Sequence, residues 1–529
     1  MVTNRSDAEA PKAKEEIPHD HLFKVTGLSS SNLEKMAEAS EPSDFEEAIA
    51  ATSYGWFNIV LMLITVPAFW SAVSVTSSVS YIFTRAQCHM QLSLIDMGTL
   101  NAMTYGGMIT SALMWGFLSD TLGRRKIMMW GFFAAGLIEI CAALSQNFAM
   151  LVVTKFASGF IFNGPFAVMI SYIAELHRTE LRARVILLTS LFYTIASTTM
   201  PLLAWAILTK DLDLYIFGDR FVIHQWNLFL LATALMPLMT GLVIWFLPES
   251  PKFLMSRGRN EEALQIFRKI YSMNTGKPRE EFPVTRLVEE NSEEQGRGVA
   301  ALRGGWVQVV PLFKVPHGPW LLLMCIIHAG AMFGANTLRL WYPQLAAMIG
   351  SDEAGSLCSA IEPSHAPPSD PDTCVPIETD MLTYLQSAIV GAGSILTYCI
   401  GGLLINRCGK KFLSGFCGIA SGIIIVLMPL LGNGKYSVVA MVTAALALTA
   451  LLSSALSSIT VDLFPTSLRV MAMATFLMTG RLGTIAGTVA FPALVKFGCY
   501  PPFVTIAVVL AVCGASCCFI PNTNLKKLE

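Results

Sequence analysis

Long apolar runs separated by short polar stretches dominate this chain. They lie near 56–82, 97–118, 127–146, 149–174, 185–209 and 224–247, and again near 319–343, 381–405, 413–432, 437–460, 471–495 and 501–520. Each spans about 20 residues or more, enough for a helix to cross the hydrocarbon core of a bilayer. A polar stretch of about seventy residues separates the two sets, longer than an ordinary connection. The pattern predicts six helices, a linker and six helices. The expected organisation is a tail over 1–53, a six-helix bundle over 54–247 and a linker over 248–318. A second bundle follows over 319–520, containing a polar loop at 347–380, and then a short tail over 521–529. The first fifty residues are polar, contain Pro11, Pro18 and Pro42, and lack the apolar core of a cleavable signal peptide. The first membrane helix is therefore expected to act as the targeting signal.

Composition agrees with this pattern: 53% of the 529 residues are hydrophobic and 14% charged, with a mean hydropathy of +0.56. That balance suits lipid. Lysine and arginine are retained on the cytosolic side of short loops, and alternate loops here are basic. They hold Arg124, Arg125 and Lys126; Arg178, Arg182 and Arg184; Arg407, Lys410 and Lys411; and Arg469. The 347–380 loop is acidic instead. Both termini and the linker are thus expected in the cytosol, in the plasma membrane or a vesicle membrane. Within the linker, NEEALQIFRKIY places Leu264, Phe267, Ile270 and Tyr271 on one helical face. That helix either packs beneath the bundle or stays a solvated, partly ordered segment.

Two short motifs recur in both halves. GFLSDTLGRRK (116–126) aligns with GLLINRCGKKF (402–412), matching Gly116 with Gly402, Asp120 with Asn406, Gly123 with Gly409, Arg124 with Lys410 and Arg125 with Lys411. ELHRTELR from Glu175 aligns with DLFPTSLR from Asp462, matching Arg182 with Arg469. The offsets are 286 and 287 positions, so the two motifs keep step across nearly three hundred residues. Duplication of a six-helix unit is how many secondary transporters are built. A tight turn between helices uses glycine for positive φ, and arginine can bond helix-terminal carbonyls, where the dipole favours cations. These loops either latch helix ends together in one conformation or merely fix topology.

GFLSDTLGRRK resembles the signature of the major facilitator superfamily between its second and third helices. Lys155 with Gly159 and Gly164 resembles the fourth-helix pattern, with lysine in place of the usual arginine. PESPKFL (248–254) is similar to a motif of sugar carriers, organic-ion carriers and synaptic vesicle glycoprotein 2-related proteins. FEEAIAATSYGWFNIVLML and DLFPTSLRVMAMA look most like the last group, and GRLGTIAG (480–487) is similar to organic-ion carriers. The resemblance implies an all-α fold of about twelve helices in two pseudo-symmetric halves and transport of a small organic solute. The seventh-helix motif of sugar carriers is absent from HAGAMFGANTLRLWYP, and IPNTNLKK lacks their acidic ending, both of which count against a sugar. The large luminal insert of the vesicle glycoproteins is also missing.

A charge near the bilayer centre is costly, so it marks a candidate site. Arg481, about ten residues into the eleventh helix, falls near the midplane. It either binds an anionic group of the substrate or sits in a permanent ion pair. Glu139 has similar depth in the third helix; since third helices of this superfamily lie largely outside the cavity, a partner such as Lys155 is its expected use. His328 either titrates near neutral pH and couples transport to protons or hydrogen-bonds a neighbouring carbonyl. Asn58, Tyr193 and Trp205 offer polar or aromatic contacts, with interfacial anchoring the alternative for the aromatics. Of twelve cysteines, Cys358 and Cys374 fall in the oxidising-side loop, which suggests a disulfide between them. No CxxC pair suggests a metal and no P-loop suggests ATP; no cofactor, nucleic-acid partner or enzyme activity is implied, and a monomer is expected.

The reading is a secondary transporter of a small organic solute, an organic ion by preference, working by alternating access, with protons or another ion as a possible coupling partner. The rival is a non-transporting receptor or vesicle component that keeps the fold.

Overall fold

Twelve long helices, six on each side of the linker, make up the computed structural model, which describes residues 42–210, 213–216, 221–289, 310–350, 357–361, 380–432 and 434–521. A short helix, α1 (Phe45–Ala51), precedes α2 (Trp56–Met90), α3 (Leu94–Leu122), α4 (Arg124–Ala143), α5 (Phe148–Glu175), α6 (Thr179–Leu208) and α7 (Gln225–Ile244). The linker contributes α8 (Pro251–Met255) and α9 (Asn260–Thr275). Then come α10 (His317–Gly350), the short α11 (Leu357–Ile361), α12 (Met381–Cys408), α13 (Lys410–Leu431), α14 (Lys435–Leu463), α15 (Thr466–Val495) and α16 (Tyr500–Ser516). A two-stranded antiparallel hairpin, β1 (Leu214–Ile216) and β2 (Phe221–Ile223), joins α6 to α7.

A helix satisfies its backbone polar groups internally, which is what an apolar solvent demands. Among the described residues, nine helices are long and apolar enough to cross a membrane. The other three long ones, α3, α12 and α15, have 29, 28 and 30 residues. Several helices outrun their apolar cores. The 35-residue α2 continues through the polar TRAQCHM run to Met90, and α10 continues past Pro343 to Gly350. The loop expected from 347 therefore starts later, because helical hydrogen bonding persists beyond the hydrocarbon boundary.

The halves repeat one packing scheme. In the first, α3 lies on α5, α4 on α5 and α7, and α2 on α6 and α7; in the second, α12 lies on α14, α13 on α14 and α16, and α10 on α15 and α16. They meet along two lines, α3 against α15 and α6 against α12, which exchange under the duplication. The duplicated glycines share one backbone state. Gly123 has φ 94° and ψ 155°, Gly409 φ 81° and ψ 144°, and each is the residue immediately before a helix. Positive φ there is what the matched glycines allow.

The linker packs beneath the first half. Leu264, Phe267, Ile270 and Tyr271 are all buried. Phe267 and Tyr271 join Phe45, Ile49, Phe253, Leu254 and Phe282 in a small core, while Ile270 reaches the core of the helical bundle. Ser43 pairs in a β-bridge with Leu287, tying residues before α1 to the linker beyond α9. Asn274 closes the joint: its amide donates to the carbonyls of Thr52 (3.2 Å) and Ser53 (2.9 Å), and its oxygen accepts from the Phe57 amide (2.9 Å).

The disulfide expectation needs correction. Cys358 is bonded to Cys499, with Cα atoms 5.3 Å apart, and Cys374 lies outside the described residues. The reason is that α11 docks on the second half, with buried Leu357 donating its amide to the Gly432 carbonyl at 3.1 Å. This carries Cys358 to the start of α16 instead of its own loop. Cys88, on α2, is also disulfide-bonded.

Candidate functional site

The two ends of the bundle differ. On the side away from the linker, one hydrophobic core draws on both halves: Val79 and Phe83 of α2, Trp341 and Tyr342 of α10, Phe491 of α15 and Phe503 of α16. The Phe83 and Trp341 rings lie 6.2 Å apart, and the Trp341 indole donates to the Thr488 carbonyl at 3.3 Å. On the linker side the core of the first half takes in a single buried residue of the second, Leu340, and the second half keeps its own core around Leu321, Phe464 and Phe476. Buried side chains of both halves thus share one core on the far face and largely separate cores towards the linker.

Polar groups gather where the shared core begins. Arg339 of α10 donates one guanidinium nitrogen to the Tyr193 hydroxyl of α6 and the other to the Tyr105 hydroxyl of α3, at 3.1 Å. It therefore bridges the halves through two phenols. Tyr81 of α2 is within electrostatic range of it. One turn before Arg339, Asn336 donates to Thr484 of α15 at 2.8 Å. One turn before Thr484 stands Arg481. Spacings of three put Asn336 and Arg339, and likewise Arg481 and Thr484, on shared helix faces. The close approach of α10 and α15 depends on Gly483, where a Cβ would overlap the Ala329 carbonyl.

Glu139 and Lys155 are elsewhere. The Lys155 ammonium lies 2.7 Å from a Glu139 oxygen, with side-chain exposures of 0% and 1%. Lys155 also donates to Ser78 at 3.1 Å, and Ser158 donates to the other Glu139 oxygen. The network fastens α2, α4 and α5 inside the first half and neutralises its own charge. His328 of α10 stacks on Phe476 of α15, centroids 3.8 Å apart, against Gly480. Asn58 sits at the linker end of α2, donating to the Leu176 carbonyl at 3.1 Å and accepting from Asn274 at 3.0 Å. Trp205 lies on an exposed face of α6, with 36% of its surface free.

The duplicated loops form matching ion pairs. Arg124 lies 3.6 Å from Glu175, donates to the Ser119 carbonyl at 2.9 Å and covers the Phe253 ring. Its counterpart Lys410 lies 2.5 Å from Asp462. In each half, then, the cation of the first motif meets the acid of the second. Arg125 donates to the Trp245 carbonyl at the end of α7, at 2.5 Å. Arg182 binds the Ala174 and His177 carbonyls (2.9 and 3.0 Å) and both oxygens of Glu46 (2.9 Å each), so the segment before α2 is clasped as well. Arg469 occupies the same place in α15, half-buried. Gly116 faces a flank cavity of about 190 Å³ between α3 and α5, lined also by Trp115, Asn163 and Ser171. Gly402 lies within α12; the side chains of Asp120 and Asn406 are outside the described set.

PESPKFL has a role here that its sequence did not announce. Glu249 accepts the amides of Arg125 (2.9 Å) and Ser250 (3.0 Å), placing a carboxylate at the positive N-terminus of α4. Ser250 donates to Glu175 at 2.5 Å, and Tyr172 donates to the Pro248 carbonyl at 2.8 Å. His177, buried in the loop between α5 and α6, is held below the usual histidine range by desolvation.

Comparison with known proteins decides the family. The family model described as "Sugar (and other) transporter" matches residues 48–359, and that described as "Major Facilitator Superfamily" matches 379–528. The chain belongs to the sugar-type transporters of the major facilitator superfamily. As such it is an integral membrane protein whose family and fold are those of transporters and not of enzymes. Synaptic vesicle glycoprotein 2C of Mus musculus is 24% identical over 349 residues, 62% of this chain and 48% of that protein. Synaptic vesicle glycoprotein 2B of Homo sapiens is 22% identical over 65% of this chain and 53% of its own length. The chain thus spans about half the length of the curated relatives it matches. A partially occluded, inward-open structure of the xylose transporter XylE from E. coli superposes with a TM-score of 0.63 at 14% identity, covering 89% of this chain and 99% of that one. XylE bound to 6-bromo-6-deoxy-D-glucose gives 0.60 at 15% identity, covering 90% and 97%.

Set in this superfamily fold, Tyr193 of the sequence candidates is held at the junction of the halves by Arg339, and Arg481 lies on α15 one turn from Thr484, which Asn336 of α10 binds. Glu139 and Lys155 pair within one half, and His328, Asn58 and Trp205 lie apart. Arg339, Tyr105 and Tyr81 escaped the sequence reading. Counted along the apolar run 319–343, Arg339 falls at its end, where an arginine merely reaches headgroups; the extension of α10 to Gly350 is what carries it inside.

Proposed function

We propose that this protein is a secondary transporter that carries a small organic ion by alternating access, with the linker side in the cytosol. The observation that carries the proposal is a polar junction, Arg339 with Tyr105 and Tyr193 beside Arg481, placed between two duplicated halves that share one core on the far face and keep largely separate cores towards the linker. Rocking the halves about that junction would close the linker face and break the Phe83 and Trp341 seal, exposing the same groups to the other side. The Arg124 with Glu175 and Lys410 with Asp462 pairs hold helix ends within each half, so each half moves as a unit. The basic loops around Arg124, Arg182, Lys410 and Arg469 support cytosolic placement of the linker face. Purified protein in proteoliposomes should give saturable uptake of at least one class in a panel of organic cations, anions and sugars. Background flux across the whole panel would instead support a non-transporting receptor.

A further inference from the structure

Positive charge at the junction of the halves exceeds the negative charge available to it. Among the described residues, neither Arg339 nor Arg481 has a carboxylate within 4.0 Å. Arg339 directs its described hydrogen bonds to two neutral phenols, and its Nε has no partner. The buried carboxylates described in the first half are already taken, Glu139 by Lys155 and Ser158 and Glu175 by Arg124 and Ser250. Both arginines are partly buried, and a guanidinium partly withdrawn from water without a counter-charge is unfavourable. Natural sequences keep such a charge where a ligand supplies what is missing. We infer that, on the carrier reading above, the solute is an organic anion whose carboxylate is bound by Arg339 and Arg481 where α10 meets α15.

The geometry specifies more. Helices α10 and α15 run parallel: Gly480 abuts His328, Gly483 abuts Ala329, and Gly487 abuts Phe333 and Thr337. The Asn336 to Thr484 hydrogen bond sets a common level between them. Arg481 lies one turn from that level towards the open face and Arg339 one turn towards the seal, a separation along the axis of roughly 9 Å. An entering anion meets Arg481 first and Arg339 last. A guanidinium presents a planar fork that matches a carboxylate at two points. The Tyr81, Tyr105 and Tyr193 rings around it suit a small apolar or aromatic body. An organic cation would face two like charges with no acid to offset them, and a neutral sugar would leave both arginines uncompensated.

The test uses the full chain in detergent and in liposomes. Ligand-dependent melting and equilibrium binding are measured for a series of small aliphatic and aromatic carboxylates, their matched amides, quaternary ammonium ions, chloride and phosphate. Carboxylates should bind saturably and the matched amides at least tenfold more weakly. Arg339→Gln should weaken carboxylate binding by about tenfold to a hundredfold and bring the carboxylate-to-amide ratio close to one, an outcome that a purely structural role would not produce. Arg339→Lys should retain part of the preference, and Arg481→Gln should show a smaller loss in the same direction. If Arg339→Gln fails to fold, Arg339→Lys and Arg481→Gln carry the same comparison. Amides or ammonium ions binding as well as carboxylates, an unchanged ratio in the variants, or binding of chloride and phosphate without any organic preference would each overturn the inference. Carboxylate binding without flux in liposomes would overturn the carrier reading and leave the anion site standing; flux of cations or sugars alone would do the reverse.

Discussion

The two halves treat buried charge in opposite ways. In the first, Lys155 is matched at 2.7 Å by Glu139 and braced by Ser78, while Ser158 donates to Glu139, so a fully enclosed cation is cancelled within its own bundle. In the second, Arg339 reaches across to phenols of the first half and Arg481 stands one turn below Thr484, with no carboxylate within 4.0 Å of either among the described residues. Both arrangements are costly to place in lipid, yet only one is complete without a ligand. A self-contained pair is structural cement, whereas the cations at the junction are the ones to which the proposed solute site is assigned.

This contrast can be broken by removing one partner on each side. Lys155→Met strands Glu139 in an apolar interior and should lower stability by about 3 to 5 kcal/mol, read as loss of folded protein and melting temperature in detergent. The double change Glu139→Gln with Lys155→Met should recover most of that loss. Arg339→Met strands no acid, so its cost should stay within about 1 kcal/mol while carboxylate binding falls. A stability loss as large as that of Lys155→Met would erase the distinction between the halves.

The loop ion pairs sharpen the comparison at smaller scale. Arg124→Ala removes the Glu175 pairing, the Ser119 carbonyl contact and the Phe253 ring contact, so about 1 to 2 kcal/mol is expected. Lys410→Ala removes one partly exposed pair and should cost less than about 1 kcal/mol. Chemical denaturation of the two variants should rank them in that order. Glu46→Gln breaks the half-exposed clasp on Arg182, for which a few tenths of a kcal/mol is expected, seen as faster proteolysis ahead of α2 with little change in global melting.

The smallest effect concerns pH. Burial holds His177 below the ordinary histidine range, so the folded protein binds this proton less readily than the unfolded chain does. Stability should be full above about pH 6.5 and decline as pH falls from there towards the lowered folded value. Arg182, which binds the His177 carbonyl, adds to the disfavour of a charged ring. Melting curves of His177→Gln should show a shallower decline over that window; an identical slope would remove His177 as its cause.

Much of the architecture was legible because it is written in local patterns. The apolar runs gave twelve helices, and the matched Gly123 and Gly409 mark turns with one backbone conformation. What was hidden depends on tertiary pairing. Cys358 finds Cys499 across 141 residues because α11 docks on the second half, a contact no loop count discloses. Asn58 reads as a polar group in a membrane helix, but its partners Leu176 and Asn274 come from other segments and hold it at the helix end. Arg339 was passed over because the hydrophobic run stops before the helix does.

The unit formed by α1, α8 and α9 is bolted to the first half. Ser43 to Leu287 and Asn274 to the start of α2 make it ballast for that side. A spectroscopic label at exposed Met273 therefore travels with the first bundle, and a second at exposed Phe412 on α13 travels with the other. The distance between those two labels becomes a ruler for the rocking motion proposed above, readable without knowing the solute.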